Sequence, residues 1–204
     1  MRAVAATAET FNTWFGISSL AIVSIEEIGE IYTPKLFQLY VHKDKGLNRS
    51  MIQRCKDAKF DAIALTVDVA TSGNRERCQR TGFTSPPRFT PSSVLSYAAH
   101  PAWVFNYLFR EKFALPNLQT HVDAGTNVAL SVADYFNTML DETMDWKMAE
   151  EIAKDWGGQF ALKGVMSVAD AKRAIDIGAT AIYVSNHGGR QLDGSRAPFD
   201  QIAE

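Results

Sequence analysis

Residues 145–185 read DWKMAEEIAKDW, GGQFALKGV, MSVADAKRAIDI and GATAIYVS in succession. The helix-like segment Asp145 to Trp156 is followed by an apolar, strand-like one, Phe160 to Val165. The pair then repeats as a helix from Val168 to Ile177 and a strand from Ala181 to Ser185. Strands alternating with helices point to a parallel sheet, because parallel neighbours need a crossover that returns the chain to the same end. The first third of the chain carries the same alternation. Arg2 to Glu9 reads as the end of a helix and Trp14 to Ser18 as a strand. Ser24 to Glu27 forms a capping box that starts a short helix. Lys35 to Val41 reads as a strand and Asp44 to Ala58 as a helix. Ala62 to Val67 is an unbroken apolar run, as in a strand buried on both faces.

The 204 residues are 46% hydrophobic and 22% charged, the balance of a globular domain able to bury a sizeable core. A formal charge of -2 and a pI near 6.1 give no broad positive field, so neither nucleic acid nor a polybasic membrane role has electrostatic support. Any small anion has to be held by a few local cations. Cys55 and Cys78 are read as reduced thiols of a cytoplasmic protein, since the start lacks the apolar core of a signal peptide. His42, His100, His121 and His187 are scattered, and neither cysteine has a companion at ligand spacing, so no metal site is expected.

Between the two alternating halves lies an insertion from about Thr71 to Met144, broken by Pro86, Pro87, Pro91, Pro101 and Pro116. It is far longer than an ordinary βα loop. Its aromatic content, Trp103, Phe105, Tyr107 and Phe109, argues against disorder. Ser92 to Arg110 forms an apolar, aromatic surface interrupted at Pro101. Few cations are present to meet anionic lipid, so packing on the domain is expected over peripheral contact with a membrane.

Several apolar strands end in polar groups two residues apart: Gln38 with Tyr40, Thr66 with Asp68, Ser185 with His187. Lys163 closes Phe160-Ala161-Leu162. Side chains at i and i+2 of a strand face the same way, so each pair projects from the C-terminal end of its strand. In a (β/α)8 TIM barrel that end is the active-site face. A lone Lys, Gln or Asp at a strand end is more often a solvated edge or a helix cap. Four strands ending alike favour a common cleft, where a charge placed after a buried run finds its partner.

Residues 185–194, Ser-Asn-His-Gly-Gly-Arg-Gln-Leu-Asp-Gly, resemble the signature of the FMN-dependent α-hydroxy-acid dehydrogenase and oxidase family, which includes glycolate oxidase, lactate oxidase and mandelate dehydrogenase. Phe37-Gln38-Leu39-Tyr40, Leu65-Thr66-Val67-Asp68 and Leu162-Lys163-Gly164-Val165 resemble its motifs on strands three, four and five. The spacing is physically sensible: the glycines free the backbone to turn beside a planar cofactor, and His187 and Arg190 can face one small anion. The resemblance implies that Ser18, Gln38, Thr66, Lys163 and Ser185 bind FMN, and that Tyr40, Arg75 and Arg190 hold the substrate. It makes His187 the base and Asp68 its partner. It also implies a small L-2-hydroxy acid as substrate, oxygen, a quinone or a cytochrome as electron acceptor, and a homo-oligomer for the full-length enzyme. Proton removal from the α-carbon and from the hydroxyl need the same base, and both routes stay open. Another FMN barrel would not need His187 and Arg190 together. An inactive fragment is the remaining alternative.

The family's first-strand segment would precede Met1, and its phosphate-holding segments at strands seven and eight would follow Glu204. A closed barrel needs about 250 residues. The expectation is therefore an incomplete barrel domain over 1–204, covering about strands two to six.

Overall fold

Each apolar or amphipathic run becomes one element of a strand–helix series. In the computed structural model, which describes residues 1–69, 73, 76–81, 89–109, 115–118, 138–192 and 194–203, the chain opens with α1 (Arg2–Thr10), β1 (Phe15–Ser18) and α2 (Ile25–Gly29). There follow β2 (Lys35–Leu39), α3 (Lys45–Asp57) and β3 (Ala62–Thr66). Next come α4 (Glu76–Thr81), α5 (Pro91–Ala98) and α6 (Pro101–Phe109). The series closes with α7 (Trp146–Trp156), β4 (Gln159–Val165), α8 (Val168–Asp176), β5 (Ala181–Val184), a 3-10 turn (His187–Gly189) and α9 (Pro198–Gln201).

The five strands form one parallel sheet in chain order, β1-β2-β3-β4-β5. Each new strand adds on the same side, which is how a barrel winds; a doubly wound sheet would reverse its order. Register explains the two faces. Ile17, Phe37, Ile63 and Phe160 lie side by side, as do Leu39, Leu65, Leu162 and Ile182. These rows join Met51, Ile52 and Cys55 of α3 and Ala149 and Ile152 of α7 in the core. Each fully buried side chain of this size is worth about 1.5–3 kcal/mol in apolar surface removed from water. The opposite face carries Ser18, Gln38, Ala64 and Ala161 in one row and Thr66 beside Lys163 in the next, small or polar groups throughout.

Local signals set the helix starts. The Asp44 carboxylate accepts from the N–H groups of Gly46 and Leu47, and that of Asp145 from Met148. Gly157, at φ 69, closes α7 in the left-handed conformation. The capping box at Ser24 is half made: Ser24 Oγ accepts from the Glu27 N–H, while the Glu27 carboxylate pairs with Arg2.

Hydrogen bonds tie described parts of the insertion back to the body. Buried Asn117 accepts from the Ile25 N–H at 2.9 Å and donates to Val23 O at 3.1 Å, while Arg54 reaches Asn117 O at 3.2 Å. Further on, Lys43 N–H donates to Met139 O and Asp141 N–H to Val41 O, clipping residues 139–141 to the chain beyond β2.

The expected packing of the Ser92–Arg110 surface on the domain is not observed for its described part, residues 92–109. No residue of α5 or α6 is buried; Leu95 is 73% exposed, Leu108 65% and Phe109 80%. The rings stack on one another instead, Tyr97 on Trp103 and Trp103 on Tyr107, each at 5.3 Å. The rows of the sheet on which they would pack are already covered by α3 and α7.

Candidate active site

Beyond the last ladder hydrogen bonds, the C-terminal ends of β2 to β5 deliver their polar groups to one place. Asp68, two residues past β3, is the hub. Its Oδ1 lies 3.0 Å from His187 Nδ1, and its Oδ2 lies 3.1 Å from Lys163 Nζ and 3.3 Å from Ser185 Oγ. Lys163 Nζ is also 3.3 Å from His187 Nδ1. On the far side of the imidazole, Nε2 faces Tyr40 Oη at 3.5 Å. Gln38 Nε2 donates to Tyr40 Oη at 3.2 Å and to Thr66 Oγ1 at 3.1 Å, which links the network back to β2 and β3.

The side chains of Asp68, Lys163 and His187 are 9%, 16% and 17% exposed, so the cluster is largely withdrawn from water. Burial alone pushes the Asp68 carboxyl up; the hydrogen bond from His187 and the charge and hydrogen bond of Lys163 outweigh it and hold the group below its ordinary value. An ionised Asp68 assigns the Nδ1 proton to the shorter His187 contact. Nε2 is then left with its lone pair toward Tyr40.

Two backbone features aim these groups. His187, Gly188 and Gly189 have φ of 59, 66 and 68°, so the imidazole is carried on a left-handed turn. At the other pole, the β4–β5 ladder shifts register between Lys163 and Val165, and Gly164 has φ 114°. A Cβ at Gly164 would lie 2.6 Å from Asp68 Cβ and 2.8 Å from Asp68 N. This bulge is where the chain after β3 rests on β4, and only glycine leaves room for it.

The remaining expected residues are placed less directly. Ser18 ends β1 opposite Gln38, on the same face, and its Oγ accepts from Leu20 N–H. Arg190 caps the 3-10 turn, exposed, with its guanidinium over Gly188. Arg75 lies outside the described residues. Gly73 packs so closely on Arg190 O that no side chain would fit there. The shared direction of Ser185 and His187 does not come from strand alternation, since β5 ends at Val184. It comes from the His187 N–H donating to Ser185 Oγ at 3.1 Å. Sequence reasoning missed Gly164 and Asn117. A glycine inside a strand was the available signal for the first, and nothing local marked the second.

The donor set suits a flavin ring: a cation at Lys163, an amide at Gln38 and hydroxyls at Ser18 and Thr66 match its mixture of carbonyls, bare nitrogens and one N–H. The profile of the FMN-dependent dehydrogenase family matches residues 1–204, and the chain belongs to that family. Its fold is thus the α/β, five-stranded part of a (β/α)8 barrel.

Among its relatives, the L-lactate dehydrogenase of Pseudomonas paraeruginosa is 36% identical over 182 residues, 88% of this chain and 47% of that protein. The L-lactate dehydrogenase of Vibrio cholerae is 35% identical over 192 residues, 93% of this chain and 50% of that protein. The chain therefore spans about half the length of the curated relatives it matches. Among solved structures, a monotopic membrane protein, (S)-mandelate dehydrogenase, superposes with a TM-score of 0.85 at 27% identity, covering 97% of this chain and 52% of that one. A mandelate oxidase does so with a TM-score of 0.73 at 31% identity, covering 98% and 48%.

Proposed function

We propose that the full-length protein oxidises a small L-2-hydroxy acid, lactate-like or glycolate-like, to the 2-oxo acid, with FMN at the strand-end face and His187 as the base. The observation that carries this reading is the Asp68–His187 pair, with Nε2 turned away from its carboxylate and toward Tyr40. Ser18, Gln38, Thr66, Lys163 and Ser185 are the residues that would hold the FMN. When bound, it supplies the acceptor for two electrons.

The chain's own groups do the rest. His187 takes the substrate proton at Nε2, and Asp68 orients the ring and stabilises the imidazolium that forms. Arg190 binds the substrate carboxylate through its two-pronged guanidinium, and Tyr40 and Arg75 are the other substrate-holding residues of this reading. Lys163 adds positive charge at the same end of the sheet. The names of the relatives, L-lactate dehydrogenases and mandelate oxidases, support this substrate class.

Peripheral contact with a membrane surface belongs to the same proposal. Phe89 to Phe109 contains no Asp, Glu, Lys or Arg, its Phe89, Trp103, Phe105, Tyr107 and Phe109 are exposed, and among the described residues no helix is long and apolar enough to cross a bilayer. Aromatic groups of this kind favour the membrane–water boundary.

The test of the chemistry is His187→Gln in the full-length protein. Rapid-mixing absorbance with L-lactate or glycolate should show flavin reduction slowed by about 10²–10⁴, with the yellow colour retained through gel filtration. Undiminished reduction would overturn the role of His187.

A further inference from the structure

Ser185 carries two bonds that a simple flavin contact does not need. Its hydroxyl proton points to Asp68 Oδ2 at 3.3 Å, and its oxygen accepts the His187 backbone N–H at 3.1 Å. One side chain thus holds both the carboxylate and the backbone of the imidazole it serves, closing a triangle whose third side is the 3.0 Å Asp68–His187 bond.

The turn needs such a brace. His187 is a side-chain-bearing residue at φ 59°, followed by two glycines with φ of 66 and 68°, a conformation that is unfavourable for a non-glycine residue. A hydroxyl two residues back that accepts the N–H is the local bond that offsets this cost. The proton it donates goes to Oδ2, which also takes the shorter of the two Lys163 contacts, 3.1 Å against 3.5 Å to Oδ1, and the 3.0 Å bond from His187 Nδ1 is the shortest at Oδ1.

We propose that Ser185 is a positioning residue that fixes the aim and proton affinity of the Asp68–His187 pair; this rests on His187 being the base. Lys163 from β4, Tyr40 beyond β2 and Arg190 at the end of the turn are the other charged or titratable groups facing the pair, and Lys163 shares Asp68 Oδ2 with the Ser185 hydroxyl. Removing the hydroxyl takes one donor from a buried carboxylate. Asp68 then pulls harder on the imidazole proton, so His187 holds that proton to higher pH. The backbone N–H of His187 loses its acceptor at the same time, and the ring is less well aimed.

The experiment uses Ser185→Ala, Ser185→Cys as a nearly isosteric weak donor, and Ser185→Thr, which restores the hydroxyl. In the full-length protein, the imidazole of His187 is titrated by ¹⁵N NMR in the flavin-free form, and FMN affinity and the rate of flavin reduction by L-lactate or glycolate are measured in the flavin-loaded form. The His187 titration should move up by roughly 0.3–1 pH unit in the Ala and Cys variants, the shift expected for one lost hydrogen bond. With FMN saturating, the reduction rate should fall roughly tenfold, and Thr should restore both rate and titration. An unmoved titration in Ala and Cys overturns the proposal and leaves Ser185 a flavin contact alone. If the Ala variant does not fold, an unmoved titration in Cys suffices to overturn it. A shifted titration in a protein that oxidises no hydroxy acid would sink the catalytic reading and leave the positioning role standing.

Discussion

His42 and His187 are chemically the same residue put to opposite uses by their surroundings. His42 is fully buried just past β2; its N–H donates to Asn48 Oδ1 at 2.9 Å and its carbonyl accepts from Asn48 Nδ2 at 2.7 Å. Burial, only partly opposed by the Asn48 contact, pushes its imidazole down to about 4 from 6.5. Between those values the unfolded chain takes up a proton that the folded chain refuses, so stability falls as pH drops from 6.5 to 4 and then levels off. The contribution is about 3 kcal/mol. In urea titrations across that window, His42→Gln should lose that much less stability than the wild type; equal losses would show that His42 does not set the acid limb. Asp68 acts in a lower window. Its lowered carboxyl stabilises the fold above the ordinary value of 3.8, and that support disappears as pH falls through the folded value. At Arg190 the expectation concerns shape: Arg190→Lys keeps the charge but loses the fork, so KM for the hydroxy acid should rise about tenfold or more, whereas a KM within about twofold would place the carboxylate elsewhere.

At the scale of elements, α5 and α6 depart furthest from what their sequence implied. An apolar helix is ordinarily read as a buried one, yet here Phe105 is 61% and Leu108 65% exposed. Their proposed occupant is a lipid surface, each such side chain contributing up to about 1.5–3 kcal/mol on full burial. The full-length protein should co-sediment with phosphatidylglycerol-containing vesicles, and the Phe105→Asp, Leu108→Asp double variant should bind at least about tenfold more weakly. Absence of wild-type binding at low salt would remove the membrane from the proposal. The strands behave otherwise. Gln38 with Tyr40 was legible because a period of two places such a pair on one face; Asp68 lies two residues past β3, where its bonds to Lys163 and His187 hold it. Ser185 with His187 were correctly grouped for a different reason, since a turn held by the serine hydroxyl, and not the strand, sets their direction.

For the molecule as a whole, the sheet has β1 and β5 at its two edges, and β5 presents Tyr183 at 53% exposure while Phe199 and Ile202 nearby in sequence are 85% and 67% exposed. Open parallel edges and bare apolar groups favour association. The 204-residue chain alone should therefore show a mass that rises with concentration in light scattering and should lose FMN on gel filtration at about micromolar concentration. A monomer that unfolds cooperatively and keeps its FMN would overturn this expectation and make the five-stranded unit self-sufficient.

Sequence alone determined the succession of strands and helices, the helix start at Ser24, and the polar groups that close each strand, because period, capping chemistry and burial are all properties of neighbouring residues. It also brought the chain to its family through the run from Ser185 to Gly194. Tertiary structure alone decided which of those groups touch. Asp68 meets Lys163 across 95 positions and His187 across 119, the Gly164 bulge makes the seat for Asp68, and Asn117 fastens the insertion to α2 from 92 positions away. These contacts depend on the relative placement of strands and crossovers, which the sheet sets through its register, and no local pattern of residues contains that distance.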